Sequence, residues 1–443
     1  MRKQQKKEIL EVISSLKEAH KEICKELEQK RYEAGMSLLC DCQDCALELG
    51  NIIEVLEGEE AITISYIEKY CEILFNGYEK LNKKVEELDN NKKILKKIIE
   101  PLNKQLSNIE NSINNDIKEK KEIVFFPYKA SMWDSLESIY LEMKKDESCD
   151  VYCVPIPYYD KNPNGSLGIM HYEGREYPKN IEVMDWRTYD YKERMPDAIY
   201  IHNPYDDLNI VTSVHEDYFA RNLKAYTEKL VYIPYFVHQN DCVSEHYCKL
   251  PGVVFADEVI LQSEKVKEEY IKYYSEFMNS FGKVVIKKEI ERKFLASGSP
   301  KLNINQEVQY EIPDEWKEFI DKDKKIIFFN THIRGIMRGS EEAFLKKLKW
   351  VFDFFKNDKS TVLLWRPHPL MIQTAKAMNP EAIKPYIDLV NYYRNEKIGI
   401  YDESSNLQRA IALSDAYYGD KSSVVELFKA AKKPVMIMDH QIL

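Results

Sequence analysis

Residues 361–369 read Thr-Val-Leu-Leu-Trp-Arg-Pro-His-Pro, an apolar run that ends in an arginine and a histidine flanked by prolines. An apolar run of this length next to turn-forming residues predicts a buried strand. Runs of the same kind recur after residue 120, and they alternate with stretches of helical spacing. Strands that alternate with helices favour a parallel, doubly wound sheet. The sequence therefore predicts an α/β fold for this part of the chain.

The strand-like runs form two series, which a polar stretch at 302–314 separates. Two series predict two α/β domains in tandem, with a cleft between them. Ligands of open α/β sheets bind beyond the carboxyl ends of the strands, so the residues that follow each run are candidates for function. The first series comprises 123–126, 151–154, 198–201, 230–233 and 258–261, and the second comprises 326–329, 361–365, 398–401, 416–418 and 434–437.

Residues 1–120 contain only one of the 17 prolines, Pro101, and their apolar residues recur at helical spacing. Between 81 and 113 the spacing alternates between four and three, as in a heptad repeat. Pro101 predicts a kink or the start of a new helix. We predict a helical bundle with coiled-coil character, paired either within the chain or with a second copy in a homo-oligomer. The repeat positions are Leu81, Val85, Leu88, Lys92, Leu95, Ile99, Leu102, Leu106, Ile109 and Ile113.

The composition excludes several classes of protein. The chain has 64 basic and 74 acidic residues, a net charge of −10, which disfavours nucleic acid as a partner. No run of about 18 apolar residues occurs, and the basic start at 1–8 lacks the apolar core of a signal peptide. We expect a cytoplasmic protein with reduced cysteines. The basic residues at 2–7 leave open a peripheral contact with the inner face of the cell membrane.

Arg366 and His368 follow one predicted strand, and the prolines beside His368 hold both side chains at the strand end. A guanidinium and an imidazole in such a turn suit a phosphate group. The alternative is a rigid loop with a salt-bridged arginine. Arg334 follows the preceding strand of the same series, so that a second polar strand end lies in the same domain.

Ser422 and Ser423 follow the run at 416–418 and open a predicted helix. Backbone N–H groups at a helix start favour an anion such as a diphosphate. The alternative is a simple helix cap. Glu426 lies one turn further on, where it would reach ribose hydroxyls or act as an ordinary first-turn acid.

His238 comes shortly after the run at 230–233, where a general base for the cleft would lie. The alternative is a surface or capped histidine, a common role for a histidine at a strand end. The position of His238 in the sequence does not decide between a general base and a surface or capped histidine.

Cys40, Cys42 and Cys45 suggest a metal site, but their spacing supplies no fourth ligand, and on a helix they do not share a face. The sequence contains no Walker loop, no Gly-x-Gly-x-x-Gly and no His-Glu-x-x-His. We therefore expect no metal and no cofactor.

Residues 121–443 resemble the CDP-glycerol glycerophosphotransferase family, the teichoic-acid type polymerases and primases of the two-Rossmann glycosyltransferase-B fold. Three motifs carry the resemblance, and their order and spacing support it. They are Gly298-Ser-Pro-Lys-Leu-Asn303, Arg366-Pro-His-Pro369 and Asp420-Lys-Ser-Ser-Val424. The family's transfer base is a histidine after a strand of the first domain, and position places His238 there.

The proline content and the helical spacing predict a helical region at 1–120, and the resemblance implies an acceptor-side Rossmann-like domain at 121–303 and a donor domain at 304–443. It also implies transfer of glycerol phosphate from CDP-glycerol to a hydroxyl of a glycan or polyol-phosphate acceptor, with release of CMP, in cell-surface polymer synthesis. His238 would be the base. The implied donor-phosphate residues are Arg366, His368, Ser422, Ser423 and Arg334, the nucleotide or ribose residues are Glu426, Ser299 and Lys301, and the acceptor-side residues are His202, Asn203 and Tyr205.

Two other functions fit the same sequence. The fold would also serve a glycosyltransferase with another nucleotide-activated donor, because a diphosphate-binding strand end does not specify the transferred group. A protein of another class is a coiled-coil scaffold whose transferase domain binds nucleotide without turnover.

Overall fold

A computed structural model describes residues 1–83, 91–283, 286–303, 310–320 and 323–438, without the side chains of residues 83 and 91–96. The chain divides into two compact units. The first comprises Met1–Lys121 and Glu147–Asp150, and the second comprises Glu122–Asp146 and Val151–Leu443. The domain limits at residues 120 and 303 stay predictions.

The first unit is built on four helices, α1 (Lys3–Glu28), α2 (Tyr32–Glu57), α3 (Ile62–Lys83) and α4 (Asn91–Asn115). Helix α1 packs against α2 and α4, and α3 packs against the same two helices. Helix α4 continues across Pro101. None of the helices among the described residues is both long and apolar enough to cross a membrane.

The repeat between 81 and 113 supplies part of this helical core. Leu102, Leu106, Ile109 and Ile113 are at most 1% exposed and belong to one apolar cluster with residues of α1, α2 and α3. Full burial of each such side chain contributes about 1.5–3 kcal/mol. The repeat therefore pairs within the chain. Val85 and Leu88 lie outside the described residues, as do the side chains of Lys92 and Leu95.

The second unit is built on two parallel sheets, which confirms the predicted α/β class after a helical N-terminal region and agrees with a tandem Rossmann-like arrangement. The first sheet has the order β2-β1-β5-β7-β8-β9 and the second has the order β12-β11-β10-β13-β14. The strands of the first are β1 (Lys121–Phe126), β2 (Cys149–Cys153), β5 (Ala198–Ile201), β7 (Lys229–Tyr232), β8 (Glu258–Ile260) and β9 (Phe294–Leu295). The strands of the second are β10 (Lys325–Thr331), β11 (Thr361–Pro367), β12 (Gly399–Tyr401), β13 (Ala416–Gly419) and β14 (Val435–Ile437).

A small antiparallel sheet and further helices complete the second unit. The small sheet has the order β4-β3-β6. Its strands are β3 (Tyr158–Lys161), β4 (Leu167–His171) and β6 (Thr212–Val214). The helices are α5 (Glu137–Met143), α6 (Tyr191–Arg194), α7 (Ala220–Lys224), α8 (Pro251–Phe255), α9 (Glu264–Ser280), α10 (Lys287–Lys293), α11 (Asp314–Lys317), α12 (Glu341–Asn357), α13 (Met371–Met378), α14 (Ile383–Asn395), α15 (Leu407–Leu413) and α16 (Val424–Ala430).

Gly419 ends β13 at a close approach to β10. Its φ is +136°, and a Cβ added there would lie 2.2 Å from the backbone oxygen of Asn330. Both the backbone angle and the lack of space require glycine. The turn places Asp420, whose Oδ2 accepts a 2.8 Å hydrogen bond from the backbone N–H of His332.

We expect Gly419→Ala to destabilise the second unit by about 2–4 kcal/mol, because a strained φ and an overpacked backbone contact both contribute. Gly298→Ala is the matched control, since Gly298 has a φ of +95° but no atom within 4 Å of its added Cβ. The control should lose only about 1–2 kcal/mol. Chemical denaturation would measure both, and equal losses would contradict the steric part of the explanation.

Candidate functional site

Two histidines lie together where β10 and β11 end. The two strands pair in parallel with Asn330 opposite Arg366 and Thr331 opposite Pro367. The residues that follow, His332 and His368, therefore emerge at the same edge of the sheet, with ring centroids 5.8 Å apart. This edge is the one at which open parallel sheets bind ligands.

Both rings are neutral and carry their proton on Nε2. The backbone N–H of Leu370 donates to His368 Nδ1 at 3.1 Å, and that of Arg334 donates to His332 Nδ1 at 3.2 Å. A ring nitrogen that accepts has no proton of its own. Burial is the main cause that lowers the pKa of His368 to about 3, and the nearby His332 adds to the effect. Burial is also the main cause that lowers the pKa of His332, and the positive charge of Arg334 adds to it. Each ring is thus a neutral N–H donor.

A cavity of about 420 Å³ lies beside His332, and we call it the cationic cavity. Three cations and one carboxylate line it. The carboxylate of Asp420 bonds to Lys347, whose Nζ also donates to the Met438 carbonyl at 2.9 Å. The side chains of Arg334 and Lys421 are exposed and have no ion pair among the described residues. The lining is His332, Arg334, Gly335, Ser340, Ala343, Phe344, Lys347, Asp420, Lys421 and Met438.

A second cavity, of about 130 Å³, lies beside His368, and we call it the small cavity. Residues near the first sheet and residues of the second sheet both contribute to it. The lining is Lys129, Ser131, Glu173, Glu176, Arg366, Pro367, His368, Pro369, Met371, Ile372, Tyr386, Asp402, Glu403, Ser404 and Ser405.

The two cations of the small cavity are each paired. Arg366 binds the Asp402 carboxylate through Nη1 and donates through Nη2 to the Ser404 carbonyl at 2.7 Å. Lys129 Nζ lies 3.0 Å from Glu173 Oε1 and donates to the Tyr158 hydroxyl at 2.8 Å. The guanidinium of Arg366 therefore has two partners within the chain.

His238 lies elsewhere, in an aromatic environment. Its Nε2 lies 3.1 Å from the Tyr270 hydroxyl, and its backbone N–H donates to Gln262 Oε1 at 2.6 Å. Burial lowers the pKa of His238 to about 4. The rings of Phe236 and Tyr247 pack against it. His238 lines neither the cationic cavity nor the small cavity.

The predicted helix start lies near the two histidines but outside both cavities. Ser422 donates through Oγ to Asn330 Oδ1 at 2.9 Å. Ser423 caps α16 without a side-chain hydrogen bond. Glu426 pairs with Lys429 at 3.0 Å, and its Oε1 accepts from the backbone N–H of Asn240 at 3.4 Å. The loop after His238 therefore touches Glu426.

Lys301 forms a buried ion pair. Its Nζ lies 2.6 Å from Asp134 Oδ1, and the two side chains are 7% and 5% exposed. Ser299 is also buried, and its hydroxyl has no hydrogen-bond partner among the described residues.

His202 has both ring nitrogens engaged. Its Nε2 accepts from the backbone N–H of Tyr128 at 3.1 Å, and its Nδ1 lies 3.2 Å from the Met132 carbonyl. Burial lowers the pKa of His202 to about 3. Asn203 Oδ1 accepts from the backbone N–H of Tyr205 at 3.3 Å. Burial raises the pKa of Tyr205.

The structure thus brings Arg366 and His368 together at the small cavity and places Arg334 at the cationic cavity. Sequence reasoning missed Lys129, Glu173, Lys347 and Lys421. The sequence pattern could have indicated Lys347, because this lysine occupies a buried position of α12 between apolar residues. Within the described ranges, no group of three or more His, Cys, Asp or Glu side chains is placed to hold a metal ion.

No family model matches the chain. An uncharacterized Methanocaldococcus jannaschii protein is 40% identical over 65 residues, which are 13% of this chain and 48% of that protein, so the match spans about half of its length.

Solved structures similar to the chain include an S. aureus MnaA–UDP co-structure, with 10% identity, a TM-score of 0.42 and coverage of 73% of this chain and 80% of that one. A UDP-N-acetylglucosamine 2-epimerase from Rickettsia bellii has 12% identity, a TM-score of 0.38 and coverage of 73% and 81%. An α,α-trehalose-phosphate synthase (UDP-forming) from Burkholderia vietnamiensis has 12% identity, a TM-score of 0.34 and coverage of 70% and 82%. At these TM-scores none of them assigns a ligand or a reaction to this chain.

The buried histidines predict a loss of stability in mild acid. The pKa of His238 is about 4 in the folded state, against about 6.5 unfolded. The unfolded chain therefore takes up a proton that the folded chain does not, so stability is full above pH 6.5 and falls as the pH drops below it. Between pH 7 and pH 5 this one ring should cost about 2 kcal/mol.

Between pH 7 and pH 5, the free energy of unfolding should fall by about 2 kcal/mol less in His238→Gln than in the original chain. Chemical denaturation at the two pH values would measure the difference. His246→Gln is the control, because the side chain of His246 is exposed. A pH dependence that is unchanged in His238→Gln would contradict the assignment of a neutral buried ring.

The pair of Lys301 and Asp134 predicts a second stability effect. Lys301→Met should destabilise the second unit by about 3–5 kcal/mol, because it leaves the Asp134 carboxylate buried without a partner. Lys288→Met, at an exposed position of α10, is the control. Adding Asp134→Leu to Lys301→Met should recover part of the loss in thermal unfolding. A single variant as stable as the control would contradict the pair's structural role.

Proposed function

We propose that this chain transfers glycerol phosphate from CDP-glycerol to a hydroxyl of a glycan or polyol-phosphate acceptor and releases CMP. The proposed fold is of the glycosyltransferase-B type, and the donor specificity rests on the motif resemblance. One structural observation carries the proposal. The neutral rings of His332 and His368 lie 5.8 Å apart at the carboxyl ends of two parallel strands, where His332 lines the cationic cavity and His368 lines the small cavity.

The cationic cavity suits the donor in size and charge. Cavities that hold ligands of nucleotide size measure about 300–1,000 Å³, and this one measures about 420 Å³. Lys347 is paired with Asp420, so Arg334 and Lys421 are the cations available to a diphosphate. Guanidinium groups bind phosphate oxygens through paired hydrogen bonds.

The proposed reaction is a phosphoryl transfer. The acceptor oxygen forms a bond to the β-phosphorus, the bond from that phosphorus to the bridging oxygen breaks, and CMP leaves with the bonding electrons. The acceptor proton passes to a general base, for which the resemblance suggests His238. Catalysis of this kind depends on positioning and on stabilising charge at the phosphoryl oxygens. His332 and His368 would donate to those oxygens without carrying a charge themselves.

A second candidate function is a scaffold that binds nucleotide without turnover. The position of His238 favours it, because a buried ring with a pKa of about 4 is a weak base near pH 7. A third candidate is a glycosyltransferase with another nucleotide-activated donor, and the contacts of the cationic cavity suit any diphosphate.

We expect Arg334→Gln to weaken CDP binding about tenfold in calorimetry, because one charge-assisted hydrogen bond contributes about 1.5–3 kcal/mol. Arg338→Gln is the matched control, since Arg338 is exposed and does not line the cavity. The rate of CMP release from CDP-glycerol, measured with a panel of hydroxyl acceptors, should fall about 100-fold or more in His368→Ala, because the variant lacks one hydrogen-bond donor to the transition state. His238→Ala should lose turnover and keep CDP affinity.

Each result separates the candidates. CDP binding without CMP release in the original chain would favour the scaffold. Preference for UDP-sugars or GDP-sugars over CDP-glycerol in the same assay would favour a different donor. Equal CDP affinity in the Arg334 and Arg338 variants would remove the donor site from the cationic cavity, and full turnover in His238→Ala would assign the base to another residue.

A further inference from the structure

A groove runs along the surface of the first unit between α1 and α2, and we call it the α1–α2 groove. It has a volume of about 540 Å³. Its lining is mostly apolar, and the aliphatic residues in it are Ile9, Val12, Leu49, Ile52, Val55 and Leu56. All of its lining residues belong to α1 or α2, so the groove is a feature of the helical unit alone.

Helix α2 presents apolar side chains on two faces. Leu49 and Ile53 are at most 3% exposed and belong to the core of the unit. Ile52 and Val55 lie on a second face, where they are 44% and 85% exposed. A surface helix needs one apolar face to pack on its core, and a further exposed apolar surface marks a place of interaction. The second face of α2 is therefore a candidate docking surface.

The groove has the length of a few helical turns. Cys45 and Leu56 are its outermost lining residues on α2, and a separation of about 11 residues along a helix spans about 16 Å. Two adjacent helices with apolar side chains between them receive a third helix whose apolar residues recur every three or four positions. The shape thus suits an amphipathic helix of about three turns.

The charge around the groove is negative. Glu48 of α2 and Glu8 of α1 line it, and its lining contains no lysine or arginine. Both carboxylates are exposed. Glu8 accepts from the Gln4 amide at 3.0 Å, and neither carboxylate has an ion pair among the described residues. Helix α2 as a whole has no basic residue, and its acidic residues are Glu33, Asp41, Asp44, Glu48, Glu54 and Glu57.

This charge distinguishes between the possible occupants of the groove. Anionic lipid headgroups would be repelled by the carboxylates. A second copy of the chain that packed its own α2 into the groove would bring further carboxylates against Glu8 and Glu48, and like charges across an interface are unfavourable. Lysine or arginine beside the apolar face of a docked helix would pair with both carboxylates instead.

We propose that the α1–α2 groove binds an amphipathic helix of a partner protein that carries lysine or arginine beside its apolar face. Burial of Ile52 and Val55 supplies the affinity, because removal of apolar area from water is the main favourable term in association. Glu8 and Glu48 select the partner by its charge, since exposed ion pairs add little affinity themselves. The inference does not depend on the proposed function, because none of these residues belongs to the candidate functional site.

The test uses a helical peptide of about 15 residues made of leucine and lysine, with the leucines on one face, and a counterpart with glutamate in place of lysine. Each peptide carries a fluorescent label and is titrated against the full chain in fluorescence anisotropy. The lysine peptide should bind about tenfold or more tightly than the glutamate peptide. Ile52→Ser should weaken binding of the lysine peptide about tenfold, because it removes one apolar anchor. Leu47→Ser is the matched control, since Leu47 is 53% exposed on the same helix and does not line the groove.

The charge is tested with a second pair of variants. Glu48→Gln should weaken binding of the lysine peptide roughly two- to fivefold, the effect of one exposed ion pair. Glu33→Gln is its control, because Glu33 is exposed on the same helix and lies about 22 Å from Glu48 along the helix axis, beyond the screening length of about 10 Å at 0.1 M salt. Thermal unfolding of each variant reports any loss of folding separately from the loss of binding.

Lysine-peptide binding that falls in Ile52→Ser and in Glu48→Gln but not in their controls supports the inference. Absence of lysine-peptide binding, or an equal loss in Ile52→Ser and Leu47→Ser, overturns it. Glutamate-peptide binding as tight as that of the lysine peptide also overturns it, because charge would then not select the partner. Two other results overturn it in favour of another occupant. Dimerisation of the original chain that Ile52→Ser abolishes would assign the groove to a second copy, and binding to phosphatidylserine vesicles that Ile52→Ser abolishes would assign it to a membrane.

Discussion

The parallel pairing of β10 with β11 determines where each polar group of the candidate site emerges. Asn330 occupies the centre of this arrangement. Its Nδ2 donates to the Arg366 carbonyl at 3.1 Å, and its Oδ1 accepts from Ser422 at 2.9 Å. Gly419 packs directly on its backbone. One buried amide therefore links three neighbouring strand ends, and a buried polar group of this kind is costly to leave unsatisfied. These bonds hold the ends of β10, β11 and β13 together at the edge where His332 and His368 emerge.

The two cavities differ in charge although His332, which lines one, and His368, which lines the other, have ring centroids only 5.8 Å apart. Under the proposed function this contrast would favour a phosphate at the cationic cavity and oppose one at the small cavity. The neutral state of both rings matters for the contrast. A charged imidazolium would extend the positive field into the small cavity, whereas a neutral ring donates one hydrogen bond and adds no charge. Burial, which lowers the pKa values of both rings, therefore maintains the separation.

The sequence predicted those features that depend on neighbouring residues. Short apolar runs predicted the strands of both sheets except β9, and the heptad spacing predicted the buried positions Leu102, Leu106, Ile109 and Ile113 of α4, because each pattern reports one face of one element. The sequence did not predict contacts between residues that are far apart in the chain. The bond of Arg366 to Asp402 depends on β12 lying beside β11, and the bond of Lys129 to Glu173 depends on the β3–β4 hairpin, which Glu173 follows. Neither the sheet order nor the hairpin register can be obtained from local spacing.

The three histidines at strand ends show why position in the sequence does not define chemical role. His202, His238 and His368 all follow strands, and burial lowers the pKa of each. They differ in which ring atoms the chain itself occupies. Both nitrogens of His202 have backbone partners, and Nε2 of His238 faces Tyr270. Only His368 of these three combines an engaged Nδ1 with an Nε2–H next to a cavity. A ring held by one nitrogen and free at the other has a fixed direction and an available donor, which is the requirement for acting on a ligand.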